Sequence, residues 1–167
     1  MKVIQYFLIT IIILFLSNCK KHNQETEKID NIEFSYHSGL RIPYNKVVIN
    51  IERNNDEAIV YVESKPLNDD PKWKYSKIDT ILFTDVKTFD KLAKSITVLD
   101  KIDINKAHTK GLDGYSCKIE YGAKGKNKSY RFWSPTSNTE KRGLTEFVNL
   151  CEQILEISGL KKKKIIE

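Results

Sequence analysis

The sequence has few of the residues that build metal and nucleotide sites. Among 167 residues there are three cysteines and three histidines, and no two histidines have the spacing of metal ligands. Cys-x-x-Cys, His-x-x-x-His, P-loop, Gly-x-Gly-x-x-Gly and Gly-x-Ser-x-Gly motifs are all absent. We therefore predict a non-catalytic protein without a metal or cofactor.

The sequence also lacks an apolar run long enough to cross a membrane. The longest run, residues 6–16, is about 11 residues, whereas a spanning helix needs about 20. It follows Lys2, precedes a polar stretch, and ends in Leu16-Ser17-Asn18-Cys19. This length and these flanks are typical of a secretory signal.

The four residues Leu16-Ser17-Asn18-Cys19 resemble the lipobox of bacterial lipoproteins. The resemblance implies a signal peptide over 1–18, acyl chains such as palmitate on Cys19, and anchoring in a bacterial cell envelope. Asn18 departs from the Gly, Ala or Ser that usually precedes the cysteine. The alternatives are an uncleaved signal anchor and a core strand. With several acyl chains the membrane attachment would be stable.

The charge of the chain is mixed. Lys and Arg number 28 against 22 Asp and Glu, which is not the basic stripe of a nucleic-acid-binding protein, so we predict no nucleic-acid partner. The run Lys161–Lys164 is either a polybasic patch for anionic lipid or a solvated tail, and its terminal position favours the tail.

The residue pattern predicts one α+β domain. We expect a lipidated tether over 19–31, the domain over 32–160 and a basic tail over 161–167. The domain has an antiparallel sheet of about five to six strands with two helices packed on one face. The predicted strands and helices, in chain order, are strands 32–37, 46–53, 58–64 and 78–83, a helix after Thr84 or Asp85, strands 114–121 and 128–133, and a helix over 140–158.

Two segments of the second half resemble a pattern of small bacterial envelope proteins. They are Gly111-Leu112-Asp113-Gly114-Tyr115 and Arg131-Phe132-Trp133-Ser134-Pro135. That family brings no activity with it, so the resemblance implies only the fold and the location.

Exposed aromatic residues beside arginine are typical of interface anchors. On the second hairpin Arg131 and Trp133 share a face, and we take them, with Trp73 and Tyr75, as a candidate binding face. The alternative is that these aromatic side chains pack at the seam between helix and sheet.

The two cysteines other than Cys19 fall on the faces predicted to meet. Cys117 is on a strand face with other apolar residues, and Cys151 is on the apolar stripe of the last helix. They form either a disulfide or two buried thiols, because a shared layer does not ensure the short Cα separation that a disulfide needs.

These observations favour a lipid-anchored envelope protein that binds another protein. Two alternatives remain: an inhibitor or immunity protein against a toxin or hydrolase, and an enzyme with a dispersed active site. A pocket that brings together Asp69, Asp70, His37 and Arg41 would indicate the enzyme, and a flat sheet face with aromatic residues would indicate binding.

Overall fold

The computed structural model describes residues 28–39, 44–66, 77–123, 125–161 and 165–166. Cys19, with the predicted signal peptide and most of the tether, lies outside the described residues. So do Arg41, the pair Asp69 and Asp70, and the two aromatic residues Trp73 and Tyr75. In the described part of the chain, no helix is long and apolar enough to cross a membrane.

The described chain forms six strands, four α-helices and one short 3₁₀ helix. In order they are β1 (Asn31–Ser38), β2 (Lys46–Arg53), β3 (Glu57–Lys65), β4 (Ile78–Asp85), α1 (Val86–Ile96), the 3₁₀ helix (Thr97–Lys101), α2 (Ile104–Ala107), β5 (Tyr115–Ala123), β6 (Lys126–Trp133), α3 (Thr139–Arg142) and α4 (Thr145–Ile157).

The strands form one antiparallel sheet in the order β4-β3-β2-β1-β5-β6. Strands that follow one another in the chain are paired, with the exception of β4 and β5. β5 instead pairs with β1, which therefore lies between β2 and β5. The expected α+β fold is therefore confirmed. As the alternation of apolar and polar residues predicts, the buried side chains of β1, β2 and β3 point to one side of the sheet.

The helices pack against that side and close the core. Leu92 of α1 and Phe147 of α4 are almost completely buried, as expected for residues on apolar stripes at helical spacing. Phe147 meets Phe132 of β6 edge to face, with ring centroids 4.8 Å apart. Asp85 begins α1 by accepting a hydrogen bond from the Thr88 backbone N–H, which satisfies one of the free donors of the first turn.

The structure differs from the sequence-based expectation at two helices. The predicted helix over 140–158 is divided into α3 and α4, because Gly143 adopts φ 69° and ends α3. The segment expected to be a polar connection contains α2. Asp103 caps this helix, because its carboxylate accepts hydrogen bonds from the backbone N–H groups of Asn105 and Lys106.

The C-terminal end is also part of the core. We expected residues 161–167 to form a solvated tail, but Ile165 and Ile166 are buried within the main apolar cluster. The Ile166 carbonyl accepts a hydrogen bond from the Tyr115 hydroxyl, at 2.8 Å. The two isoleucines after the lysine run supply apolar area that holds the chain end against the domain.

Candidate functional site on the open face of the sheet

The side of the sheet opposite the helices is the candidate site, and we call it the open face. It carries the alternate residues of every strand, which the pairing registers align in rows across the sheet. One row runs Ile81, Tyr61, Asn50, Glu33, Glu120 and Ser129 from β4 to β6. Among the described residues no helix packs on this face, and its two ends differ in chemistry.

At the β4 end, the open face is apolar and exposed. We call Ile59, Tyr61, Ile81 and Phe83 the β4 patch. Ile81 is 54% exposed, Phe83 63% and Tyr61 37%. The register places Phe83 beside Ile59 and Ile81 beside Tyr61, so the four side chains are contiguous. Exposed contiguous apolar surface of this kind marks interaction sites in folded proteins.

The centre of the open face carries a network of charges. Lys118 of β5 binds Glu33 of β1 at 2.8 Å and Glu120 at 3.1 Å, and Asn127 donates to Glu120 at 3.0 Å. The hydrogen bond with Glu33 raises the pKa of Lys118, although partial burial opposes this shift. The hydrogen bonds from Asn127 and Lys118 lower the pKa of Glu120. The paired charges make this region polar and ordered.

At the β6 end, the open face is partly covered by the loop before β5. We call Leu112, Arg131 and Trp133 the β6 corner. Trp133 is half-buried because Gly111 and Gly114 pack on its ring. The approach is close enough to require glycine, since a Cβ atom added at Gly111 would lie 2.2 Å from the ring and one added at Gly114 would lie 2.6 Å from it. Arg131 and Leu112 are exposed. The expectation that Arg131 and Trp133 share a face matches the register.

Arg142 fixes the backbone behind the β6 corner. Its guanidinium, only 8% exposed, donates to the carbonyls of Trp133, Ser134, Ser137 and Ala107 at 2.8–3.0 Å. Burial lowers the pKa of Arg142. These bonds connect the end of β6 to the end of α2, just before the loop that carries the two glycines, and so hold the Trp133 carbonyl on a buried cation.

A second polar cluster holds β5 and β6 to the 3₁₀ helix on the other side of the sheet. Asp100 accepts from the hydroxyls of Tyr121 at 2.6 Å and Tyr130 at 2.7 Å, and from Lys128 at 2.5 Å. Burial opposes ionisation of Asp100, but these three hydrogen bonds outweigh it and lower its pKa. The pKa of Tyr130 rises to about 12 by burial and by its bond to Asp100. The cluster is structural, since Tyr121, Tyr130 and Lys128 all donate to the one carboxylate of Asp100.

The residues considered for catalysis do not form a described site. His37 is exposed on the open face, where its strand neighbours are Lys46 and Ser116. Arg41, Asp69 and Asp70 lie outside the described residues. Within the described ranges, no three His, Cys, Asp or Glu side chains are grouped as metal ligands. A recess of about 280 Å³ between the 3₁₀ helix, α2 and α4 has a mixed lining of Lys101, Asp103, Lys106, Arg142 and Glu146 with apolar residues.

The two remaining cysteines meet in the core. Cys117 of β5 and Cys151 of α4 are both free and fully buried. Burial raises the pKa of the Cys151 thiol well above its usual range, and its hydrogen bond with Cys117 raises it further. A thiol with a raised pKa is a poor nucleophile at neutral pH, so Cys151 is not placed for covalent chemistry.

Sequence reasoning missed the β4 patch. The signal was present, because Ile81 and Phe83 alternate with Leu82 and the strand is therefore apolar on both faces. Such a strand is usually central in a sheet, buried on both sides. Only the strand order shows that β4 lies at an edge. In the chain, β4 follows the segment that contains Trp73 and Tyr75. In the sheet, β4 is the edge strand opposite β6, which carries Arg131 and Trp133.

Comparison with known proteins gives no family for this chain. No family model matches the sequence, and no curated protein matches it either.

Proposed function

We propose that this protein is a non-catalytic, lipid-anchored protein of a bacterial cell envelope, and that its open face binds another protein. The observation that carries the proposal is a side of the six-stranded sheet on which no described helix packs and on which Phe83 and Ile81 are more than half exposed. A monomeric protein rarely leaves large apolar side chains contiguous and exposed unless they bind something.

The chemistry of the open face supports a protein partner over a small molecule. Small-molecule sites are concave and enclose most of the ligand, whereas the open face is a sheet surface with an apolar end and a charged centre. Protein interfaces combine an apolar centre with a polar rim in this way. The aromatic side chains Phe83, Tyr61 and Trp133 are of the types that supply most binding energy at interfaces.

The lipid anchor is the second part of the proposal and rests on the resemblance of Leu16-Ser17-Asn18-Cys19 to the lipobox. Labelling of growing cells with an alkyne fatty acid tests it. The wild-type chain should carry the label, and the Cys19→Ala variant should remain an unlabelled precursor. Label that persists on the variant would reject the anchor.

Site-specific photo-crosslinking tests binding by the open face. A photoreactive amino acid replaces Tyr61 or Phe83 at the β4 end of the open face, and Lys91 or Gln153 on the exposed surface of the helices serves as the control. In the native membrane, the open-face positions should give a discrete crosslinked product and the helix positions should give none. Equal products from both surfaces, or none from either, would contradict the proposal.

A further inference from the structure

The edge of β4 is open to a further strand. β4 is eight residues long and pairs with β3 along its whole length without a bulge. Among the described residues, none pairs with its other side. An edge strand directs alternate backbone N–H and C=O groups outward, and these groups can hydrogen-bond an extended chain.

Lysine, proline and a bulge, which often prevent such pairing, are absent from β4. Proteins protect edge strands with lysine, proline, bulges or short length. The strand Ile78–Asp85 contains no basic residue and no proline. The opposite edge, β6, carries Lys126, Lys128 and Arg131. The two edges of one sheet therefore differ in whether they oppose strand addition.

Charge on the open face of β4 restricts what can pair with it. Asp79 and Asp85 flank the apolar pair Ile81 and Phe83 at two-residue intervals. On β3, Glu63 lies beside Asp79 and Glu57 lies beside Asp85. Lys65 binds Glu63 at 2.8 Å and also interacts with Asp79, and Lys46 lies opposite Lys65, so basic side chains offset the charge at the Asp79 end. β4 itself thus carries a carboxylate near each end and apolar side chains between them, although the whole chain has a net charge of +6.

A second copy of the chain does not fit this edge. Antiparallel pairing of two β4 strands with Ile81 opposite Phe83 would join the two apolar patches. The same register would set Asp79 of each copy opposite Asp85 of the other. Like charges directly opposite one another destabilise a strand pair, and here the clash occurs twice.

We propose that β4 binds an extended segment of a partner protein as a seventh strand, and that this segment has two apolar residues flanked by Lys or Arg at the same two-residue intervals. The apolar side chains pack on Ile81 and Phe83, and the basic side chains face Asp79 and Asp85, whose carboxylate keeps its hydrogen bonds to Thr88 at the start of α1. The backbone bonds supply affinity and the alternating side chains supply specificity, as in other strand-addition complexes. This inference rests on the proposed function and names the chemistry of its partner.

The test is the binding of a labelled peptide, Lys-Thr-Ile-Thr-Ile-Thr-Lys, to the full-length protein in detergent micelles, measured by fluorescence anisotropy. Saturable binding that weakens with added salt is expected, because exposed charge pairs are screened. The peptide Glu-Thr-Ile-Thr-Ile-Thr-Glu should bind at least about tenfold more weakly, since two attractions become two repulsions. No saturable binding up to about 1 mM, a very weak affinity, would overturn the inference.

Protein variants locate the site. Ile81→Lys should weaken binding more than about tenfold, because it removes apolar contact and adds a like charge. Asp79→Lys should weaken binding about three- to tenfold. Lys91→Glu, on the exposed surface of α1, is the matched control and should leave the affinity unchanged. Loss of affinity in the control but not in the β4 variants would overturn the proposed site.

N-methylation of the peptide separates strand pairing from simple hydrophobic contact. Only alternate N–H groups of a strand point towards one neighbour. Methylation at position four or at position five should therefore abolish binding in one case and leave it unchanged in the other. Equal effects would reject strand addition. If open-face crosslinks form in the membrane but this peptide does not bind, the partner chemistry is wrong while the proposed function stands.

Discussion

The two ends of the sheet are built differently. At β6, Trp133 is tied into the fold: two glycines pack on its ring, Arg142 holds its carbonyl, and Asp100 holds the strand pair from the other side. At β4, Ile81 and Phe83 contact water for more than half of their surface.

This difference separates residues that stabilise the fold from residues that are free to bind. The two ends are about 24 Å apart, since five strand spacings of about 4.8 Å lie between β4 and β6. Substitutions of the buried residues at the β6 end should cost stability, and substitutions of the exposed apolar residues at the β4 end should cost binding alone.

The largest expected contrast is between two phenylalanines. Phe132 of β6 is 4% exposed and packs against Phe147, so Phe132→Ala should lower the free energy of unfolding by about 3–5 kcal/mol. Phe83→Ala should change it by less than about 0.5 kcal/mol, as for a surface substitution. Denaturant unfolding of both variants measures this. Similar losses would mean that the β4 end is part of the core after all.

Arg142→Met should lower the free energy of unfolding by about 2–4 kcal/mol, because the four carbonyls that bind the guanidinium lose their donor inside the protein. Arg131→Met is the control on the exposed face and should stay within about 0.5 kcal/mol. Thermal unfolding of the pair decides whether the buried cation organises the β6 corner. Equal stability of the two variants would remove that role.

Gly114→Ala should cost about 1–3 kcal/mol, since its Cβ would overlap the Trp133 ring and the side chain of Ser134. The fluorescence of Trp133 should also change as the ring shifts. Gly39→Ala is the matched control, because a Cβ there meets nothing within 4 Å. An unchanged unfolding curve for Gly114→Ala would show that the loop does not clamp Trp133.

Asp100→Asn should give the smallest loss in the free energy of unfolding, about 1 kcal/mol at neutral pH. The Asp100 carboxylate is 37% exposed, so water screens its bond to Lys128. Folding lowers the pKa of Asp100 below its ordinary value of 3.8. The contribution of Asp100 to the free energy of unfolding is therefore present above pH 3.8 and is lost as the pH falls through the lower pKa of the folded state. The difference in stability between wild type and variant should therefore close in acid. A difference that persists below that range would reject the assignment.

Much of the fold follows from local pattern. The six strands and the start of α1 could be predicted because alternation and the Asp85 cap act within a few residues. The break before α4 was missed because an apolar stripe continues across Gly143, and glycine tolerates a helix interior as well as an end. The burial of Ile165 and Ile166 was missed because the four preceding lysines dominate the local composition.

The candidate site was less predictable than the fold. Trp133 and Arg131 could be placed on one face from strand alternation alone. The covering of the Trp133 ring by Gly111 and Gly114 could not, because it depends on a contact between distant segments. The exposure of Ile81 and Phe83 depends on strand order, and no local signal distinguishes a buried central strand from an apolar edge strand.

Hydrogen–deuterium exchange of the anchored protein most directly tests whether the β4 edge is the bound edge. Exchange should be compared between the native membrane and the purified full-length protein, with peptides covering Ile78–Asp85 and Lys126–Trp133. We expect slower exchange in the membrane for Ile78–Asp85 and no change for Lys126–Trp133, because a bound strand protects the outward N–H groups of β4. Unchanged exchange at β4, or protection at β6 instead, would contradict this expectation.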